Sequence, residues 1–460
     1  MRSKLDKNVK KLVDEGADYA DIRYGEGVSE SINVKDDKVE EIESSSQKGI
    51  GIRVFYEGSW GFSSTNNIDN LERRAKEALK AAKTLSKISD TTKFGLEEMD
   101  IVDKKLTNDE GILPSEVTLD QKLALMEDAE RNIRFSSDNI KSSQVTYQDF
   151  EGKEMFLNSE GSFIEREQIF LLVYLSSTAK KGDRLESYKD RIATKKGFGH
   201  LSYQDPIRKG KEVGEMSDKL LEAGKSPSRR MPVILGDRIG GLFAHEAVGH
   251  ASEADIVLSG DSIFSGEKGN RIASEHVNIV DNPGLENRFG SYRFDDEGVE
   301  AEKTKIIEKG VLKNFLHSRE TASRMDVKPT GNGRAQSYNK RPRVRMSNTY
   351  FENGEADEDE LIRSVDNGIF IEGFKGGQVS TKEGNFTFGA THGYIIEDGE
   401  RKGIVKSPTI SGRTMEVLKR ISLVANNLEI GDPGLCGKAG QRVMVDNGAP
   451  WMKVDEMVVG

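Results

Sequence analysis

The apolar positions of the first half change period several times. Leu5, Val9, Leu12 and Val13 recur at helical spacing, with Ser3 as a candidate N-cap and Gly16 as a candidate stop. Strand-like alternation follows at Ser31–Val34 and, more cleanly, at Ile50, Ile52, Val54 and Tyr56. Helical spacing returns over residues 68–86, where Ile68, Leu71, Ala75, Ala78, Leu79, Ala82 and Leu85 share a face, and again over 118–134. Residues 142–177 read as a meander of Ser143–Phe150, Glu154–Asn158 and a long apolar run through Ile169–Leu175. Glu151-Gly152 and Glu160-Gly161 supply its turns. A polar helix over 208–224 closes this half.

Lys225-Ser226-Pro227-Ser228-Arg229-Arg230 has no periodicity and marks a boundary. Beyond it, Pro232-Val233-Ile234-Leu235 reads as a buried strand. Asp237 is placed to cap a helix carrying Ile239, Leu242, Phe243 and Ala247. After residue 260 the signals are short strands between Gly and Asp/Asn turns, such as Asp366-Asn367-Gly368 and Glu397-Asp398-Gly399. The pattern predicts an α+β protein of two domains: residues 1–225, mixed α/β, and residues 231–460, β-rich. A chain of 460 residues exceeds what one core usually organises, which agrees with two domains.

Composition narrows the function classes. The net charge of −10 is mild for this length and argues against a nucleic-acid coat or a polybasic membrane binder. No run of about 18 apolar residues predicts a membrane span. The N-terminus, Met1-Arg2-Ser3-Lys4-Leu5-Asp6, lacks the apolar core of a signal peptide. The single cysteine, Cys436, cannot form an internal disulfide, which fits a reducing cytoplasm.

The chemistry concentrates at His245-Glu246-Ala247-Val248-Gly249-His250. It approaches the zincin pattern, in which two imidazoles hold Zn²⁺ and the neighbouring Glu takes a proton from the attacking water. The spacing is one residue too long. On a regular helix, positions i and i+4 lie about 40° apart and i and i+5 about 140° apart. Two ligands for one metal therefore require a distortion between Glu246 and His250, and a π-bulge near Gly249 would supply it. Zinc is favoured over Mg²⁺ or Ca²⁺ because imidazole is a poor partner for hard cations. A third ligand is needed, and Cys436, Glu253, Asp255 and the other histidines are the candidates. Cys436 sits in a Gly-rich stretch, Gly431 to Gly440, whose backbone can approach another surface closely.

His245-Glu246-Ala247-Val248-Gly249-His250 with Glu253-Ala254-Asp255 resembles the signature of the TldD/PmbA metalloproteases, in their metal-bearing TldD branch. The resemblance extends through Asp295-Asp296-Glu297-Gly298, Thr330-Gly331-Asn332-Gly333-Arg334, Met346-Ser347-Asn348-Thr349-Tyr350 and Cys436-Gly437-Lys438. It implies one zinc per chain held by His245, His250 and Cys436, with Glu246 as general base. It further implies cleavage of unfolded peptides inside a closed two-subunit shell. The second subunit is then another copy or a metal-free PmbA/TldE-like homologue. His392, just before Gly393-Tyr394, departs from the acidic residue that the resemblance implies there.

Two features carry weaker signals. Arg341, Arg343 and Arg345 alternate and read as a solvated strand face rather than a grip on a substrate carboxylate. Asp295-Asp296-Glu297 reads as an acidic turn, since neighbouring carboxylates without a spaced set make a poor cation cage. The rival functions are a non-catalytic subunit that shapes the chamber and a zinc amidohydrolase for small substrates.

Overall fold

The computed structural model describes residues 1–88, 94–107 and 111–460. Its N-terminal half is built on β1 (Tyr19–Lys35), β2 (Lys38–Tyr56), β3 (Ser59–Thr65), β4 (Asp103–Leu106), β5 (Ile140–Asn158), β6 (Phe163–Lys181) and β7 (Arg184–Thr194). They form one sheet in the order β3-β2-β1-β5-β6-β4, with β7 against β6. The expected short segments Ser31–Val34 and Ile50–Tyr56 are the ends of strands 17 and 19 residues long. Such strands are about three times the usual length, and they serve two cores. Ala20, Ile22 and Tyr24 of β1 pack under α1 (Arg2–Asp14) and α2 (Leu71–Leu85). Ile32 and Val34, an even number of residues further along the same strand, pack under α3 (Leu119–Arg134). A single turn, α4 (Leu201–Gln204), leads into α5 (Pro206–Leu221), which joins the second core through Val213.

Two local expectations need correction. Ser3 lies inside α1, which starts at Arg2 behind Met1 with no side-chain cap. β5 runs straight through Glu151-Gly152, where Gly152 pairs with Gly27 on one side and Gln168 on the other. Gly152 marks a close approach rather than a turn, because a Cβ there would lie 2.4 Å from the Glu26 carbonyl oxygen. The turn at Glu160-Gly161 is present, with Gly161 at φ +105°.

The opposite face of this sheet meets the C-terminal half. Arg53, buried on β2, donates to Asp21 of β1 through Nε at 2.9 Å and to Glu297 through Nη1 at 2.8 Å. Glu297 also accepts the backbone N–H of Arg319 at 2.8 Å, and Arg166 of β6 pairs with Asp296. The acidic turn is thus the anchor of the N-terminal sheet: arginines match Asp296 and Glu297, and backbone N–H groups of Glu297, Val299 and Gly333 hold Asp295. Removing one partner of a buried pair strands the others, at a cost of about 3–5 kcal/mol. Arg53→Met is expected to destabilise the fold by about that amount, readable as a lowered urea midpoint.

The C-terminal half carries, among its described residues, a ten-stranded and a seven-stranded-sheet layer with a two-stranded ribbon. β8 (Gly224–Lys225) and β9 (Arg229–Leu235) belong to the ten-stranded sheet, where β9 lies between Asn367–Glu372 and Met452–Val459. The second sheet holds Ile279–Asp281, Asn348–Phe351 and Gln441–Ala449 as neighbours. Between the layers runs α6 (Asp237–Leu242), whose Ile239 and Leu242 join the main core. Gly236, still extended at ψ 176°, holds the N-cap position, so Asp237 is the first helical residue and not the cap. The α+β class holds. No helix among the described residues is long and apolar enough to cross a membrane.

Candidate metal centre

The helix that starts at Asp237 changes character at Phe243. Phe243–Gly249 is a π-helical turn, in which the N–H of His250 bonds the carbonyl of His245, five residues back. That widened turn brings residues five apart onto one side, as the His-to-His spacing requires. Phe243 fixes the turn from below, with ring centroids 5.1 Å from Phe386 and 6.3 Å from Phe351. Gly249 does not supply the distortion, since its φ −58° and ψ −54° are open to any residue. Its role is space: a Cβ there would lie 2.0 Å from the sulfur of buried Met346. Gly249→Ala is expected to lower stability by about 1–3 kcal/mol in urea unfolding, as overpacking does.

Cys436 arrives from the seven-stranded sheet of the C-terminal half. The Gly-rich stretch is a β-hairpin rather than a loop: Gly434–Lys438 pairs antiparallel with Gln441–Ala449 across a turn at Ala439 and Gly440. Both turn residues have positive φ, 51° and 69°, as a two-residue hairpin turn requires. Cys436 stands opposite Val443 and points into the core.

The two arms converge. One ligand atom from each of His245, His250 and Cys436 lies within 4.8 Å of the others, and among the described residues this is the one such His/Cys/Asp/Glu group. His250 Nε2 is 3.4 Å from Cys436 Sγ, and the two imidazole centroids are 5.1 Å apart. His245 and Cys436 are buried; His245 Nδ1 has no hydrogen-bond partner. The Glu246 side chain is 34 % exposed, with Oε2 3.9 Å from His250 Nε2. Burial alone would push the Cys436 thiol up, but His245 and His250 beside it bring it down to about 5. Burial likewise lowers both imidazoles, and the sulfur, together with Glu253 in the case of His250, more than reverses this. The cluster therefore favours a thiolate, which is the form that binds metal.

The remaining candidates fall outside the triad. Glu253 Oε2 is 3.0 Å from His250 Nδ1, on the far side of that ring, and Asp255 Oδ1 takes Lys438 Nζ at 2.7 Å. His392 sits in the ten-stranded sheet with Nε2 3.1 Å from Glu372, and His317 is buried beside Thr321. Burial pushes His317 down to about 4. The arginine stripe is not one solvated face: Arg341 and Arg343 are exposed, whereas Arg345 is buried and donates to the Cys436 carbonyl at 2.5 Å. Alternation placed the three together, but the strand spans only Arg343–Val344 before the chain turns inward.

Comparison with known proteins places the chain in a family. Profiles described as PmbA/TldA metallopeptidase domain 1, central domain and C-terminal domain match residues 20–82, 112–221 and 228–460. A metalloprotease of Methanocaldococcus jannaschii is 40% identical over 96% of both chains. The chain belongs to the PmbA/TldD metallopeptidase family. A relative named zinc metalloprotease TldD homolog, from Saccharolobus solfataricus, is 30% identical over 99% of each chain. The crystal structure of TldE from Thermococcus kodakarensis shares the fold, with a TM-score of 0.78 at 19% identity, covering 99% of this chain and 100% of that one. For a PmbA/TldD chain the donor set is chemically apt for zinc. Two imidazoles and a thiolate suit a borderline-soft cation, and the unpartnered His245 nitrogen is the kind of buried atom that a ligand explains.

Proposed function

We propose that this chain is a zinc-dependent peptidase acting on unfolded peptides, with His245, His250 and Cys436 holding one Zn²⁺ and Glu246 as general base. The observation that carries the reading is the carboxylate of Glu246, partly exposed beside a largely buried three-donor cluster whose members cannot move a proton while ligating. Zinc bound there supplies Lewis acidity to the scissile carbonyl and to the attacking water. Glu246 accepts the proton of that water at a carboxylate oxygen and returns it to the leaving amine. His245 and His250 are oriented by the π-helical turn, and Cys436 by its hairpin, so the donors need little rearrangement to bind.

The subunit arrangement follows from the hazard of such an activity. A peptidase for unfolded chains needs its site shielded, so the proposed form is a two-subunit shell, either a homodimer or a heterodimer with a metal-free PmbA/TldE-like homologue. The working compartment is the cytoplasm, where a lone thiol stays reduced. The test pairs elemental analysis with digestion of an unfolded polypeptide, by the chain alone and mixed with a TldE-like partner. Bound zinc with no cleavage in either mixture would favour the non-catalytic subunit instead.

A further inference from the structure

Resting on that reading of the metal centre, we infer that Glu253 and Lys438 form an outer clamp that positions His250 and ties it to the strand carrying Cys436. The two proposed ligands come from elements far apart in sequence, and one carboxylate oxygen joins them. Glu253 Oε2 lies 3.0 Å from His250 Nδ1 and 3.1 Å from Lys438 Nζ. Glu253 follows His250 by three residues, at the point where the chain leaves its helical turn with ψ 117°. Lys438 follows Cys436 by two residues on one strand, so both side chains leave the hairpin on the same side.

The chemistry of each contact has a direction. Glu253 faces Nδ1 while Cys436 faces Nε2, 3.4 Å away. A proton held on Nδ1 for the carboxylate leaves the Nε2 lone pair for a metal, which fixes both the tautomer and the ring orientation. Lys438 is fixed in turn by three acceptors: Glu253, Asp255 Oδ1 at 2.7 Å and the Val344 carbonyl at 3.1 Å. Through it the hairpin end is pinned to the turn beyond His250. Glu253 is fully buried, and its other oxygen, Oε1, has no hydrogen-bond partner. Burying a carboxylate with one oxygen unmatched is costly for folding, so its place here is better explained by the site than by stability.

The experiment uses the full-length chain and reads zinc affinity by chelator competition, with the unfolding midpoint of the zinc-free chain as control. Glu253→Gln keeps the shape and loses the charge that orders His250; zinc affinity is expected to fall about 10–100-fold. Lys438→Met discriminates between two roles. Loss of a tether loosens the donors and lowers zinc affinity, whereas loss of a mere nearby cation removes repulsion and raises it. The clamp requires the fall, and it requires that fall to shrink when Glu253 is already Gln, because the two act through one contact. Wild-type zinc affinity in Glu253→Gln, a rise in Lys438→Met, or full additivity in the double variant would each overturn it. Should Glu253→Gln fail to fold, the sign of the Lys438→Met effect still decides. A wild-type chain that binds no zinc overturns the metal-centre reading itself, a result distinct from tight wild-type binding that the variants leave unchanged.

Discussion

Replacing Glu246 with Gln is expected to reduce hydrolysis of an unfolded polypeptide by roughly 10²–10⁴-fold while leaving zinc content unchanged. Glutamine has nearly the same shape and keeps one acceptor oxygen, but it does not take up a proton at neutral pH. Glu246 is also free of a structural duty that would confuse the result. Its side chain is 34 % exposed, and its Oε2 lies 3.9 Å from His250 Nε2, beyond hydrogen-bond range. The variant should therefore keep the wild-type unfolding midpoint. Digestion at the wild-type rate would remove Glu246 from the chemistry, however much metal the chain holds.

The second large effect is on the metal. Cys436→Ser is expected to lose most of the bound zinc, more than the roughly 10–100-fold typical of outer partners. The reason is ionisation. The paired imidazoles bring the Cys436 thiol down to about 5 despite its burial, so a thiolate is available at neutral pH. A serine hydroxyl in the same place keeps its proton and offers a hard, neutral oxygen. Zinc measured by atomic emission after dialysis reads the result directly, with circular dichroism to confirm that the hairpin has formed. Full zinc retention would exclude Cys436 as a ligand.

The sequence by itself determined more of the site than of the frame around it. The His245-to-His250 spacing, set against about 3.6 residues per turn, already required a widened helix, and the π-helical turn at Phe243–Gly249 supplies it. Amphipathic periods likewise located α2 and α3, because helix–core contacts repeat locally. What the sequence could not determine were features set by distant neighbours. Glu151-Gly152 has the composition of a turn, yet it lies mid-strand, paired with β1 on one side and β6 on the other, and it is the close approach of the Glu26 carbonyl that calls for glycine. Gly249 looked like the source of the helix distortion and proved to be room for Met346, nearly a hundred residues later in the chain. Arg345 shares its alternation with two exposed arginines, and only the approach of the Cys436 hairpin draws it inside. The joining of Glu253 to Lys438 is of the same kind, visible only once two layers are packed. Local periodicity encodes which residues can share a face; the tertiary structure alone decides what that face meets, since the partner arrives through contacts that no local pattern records.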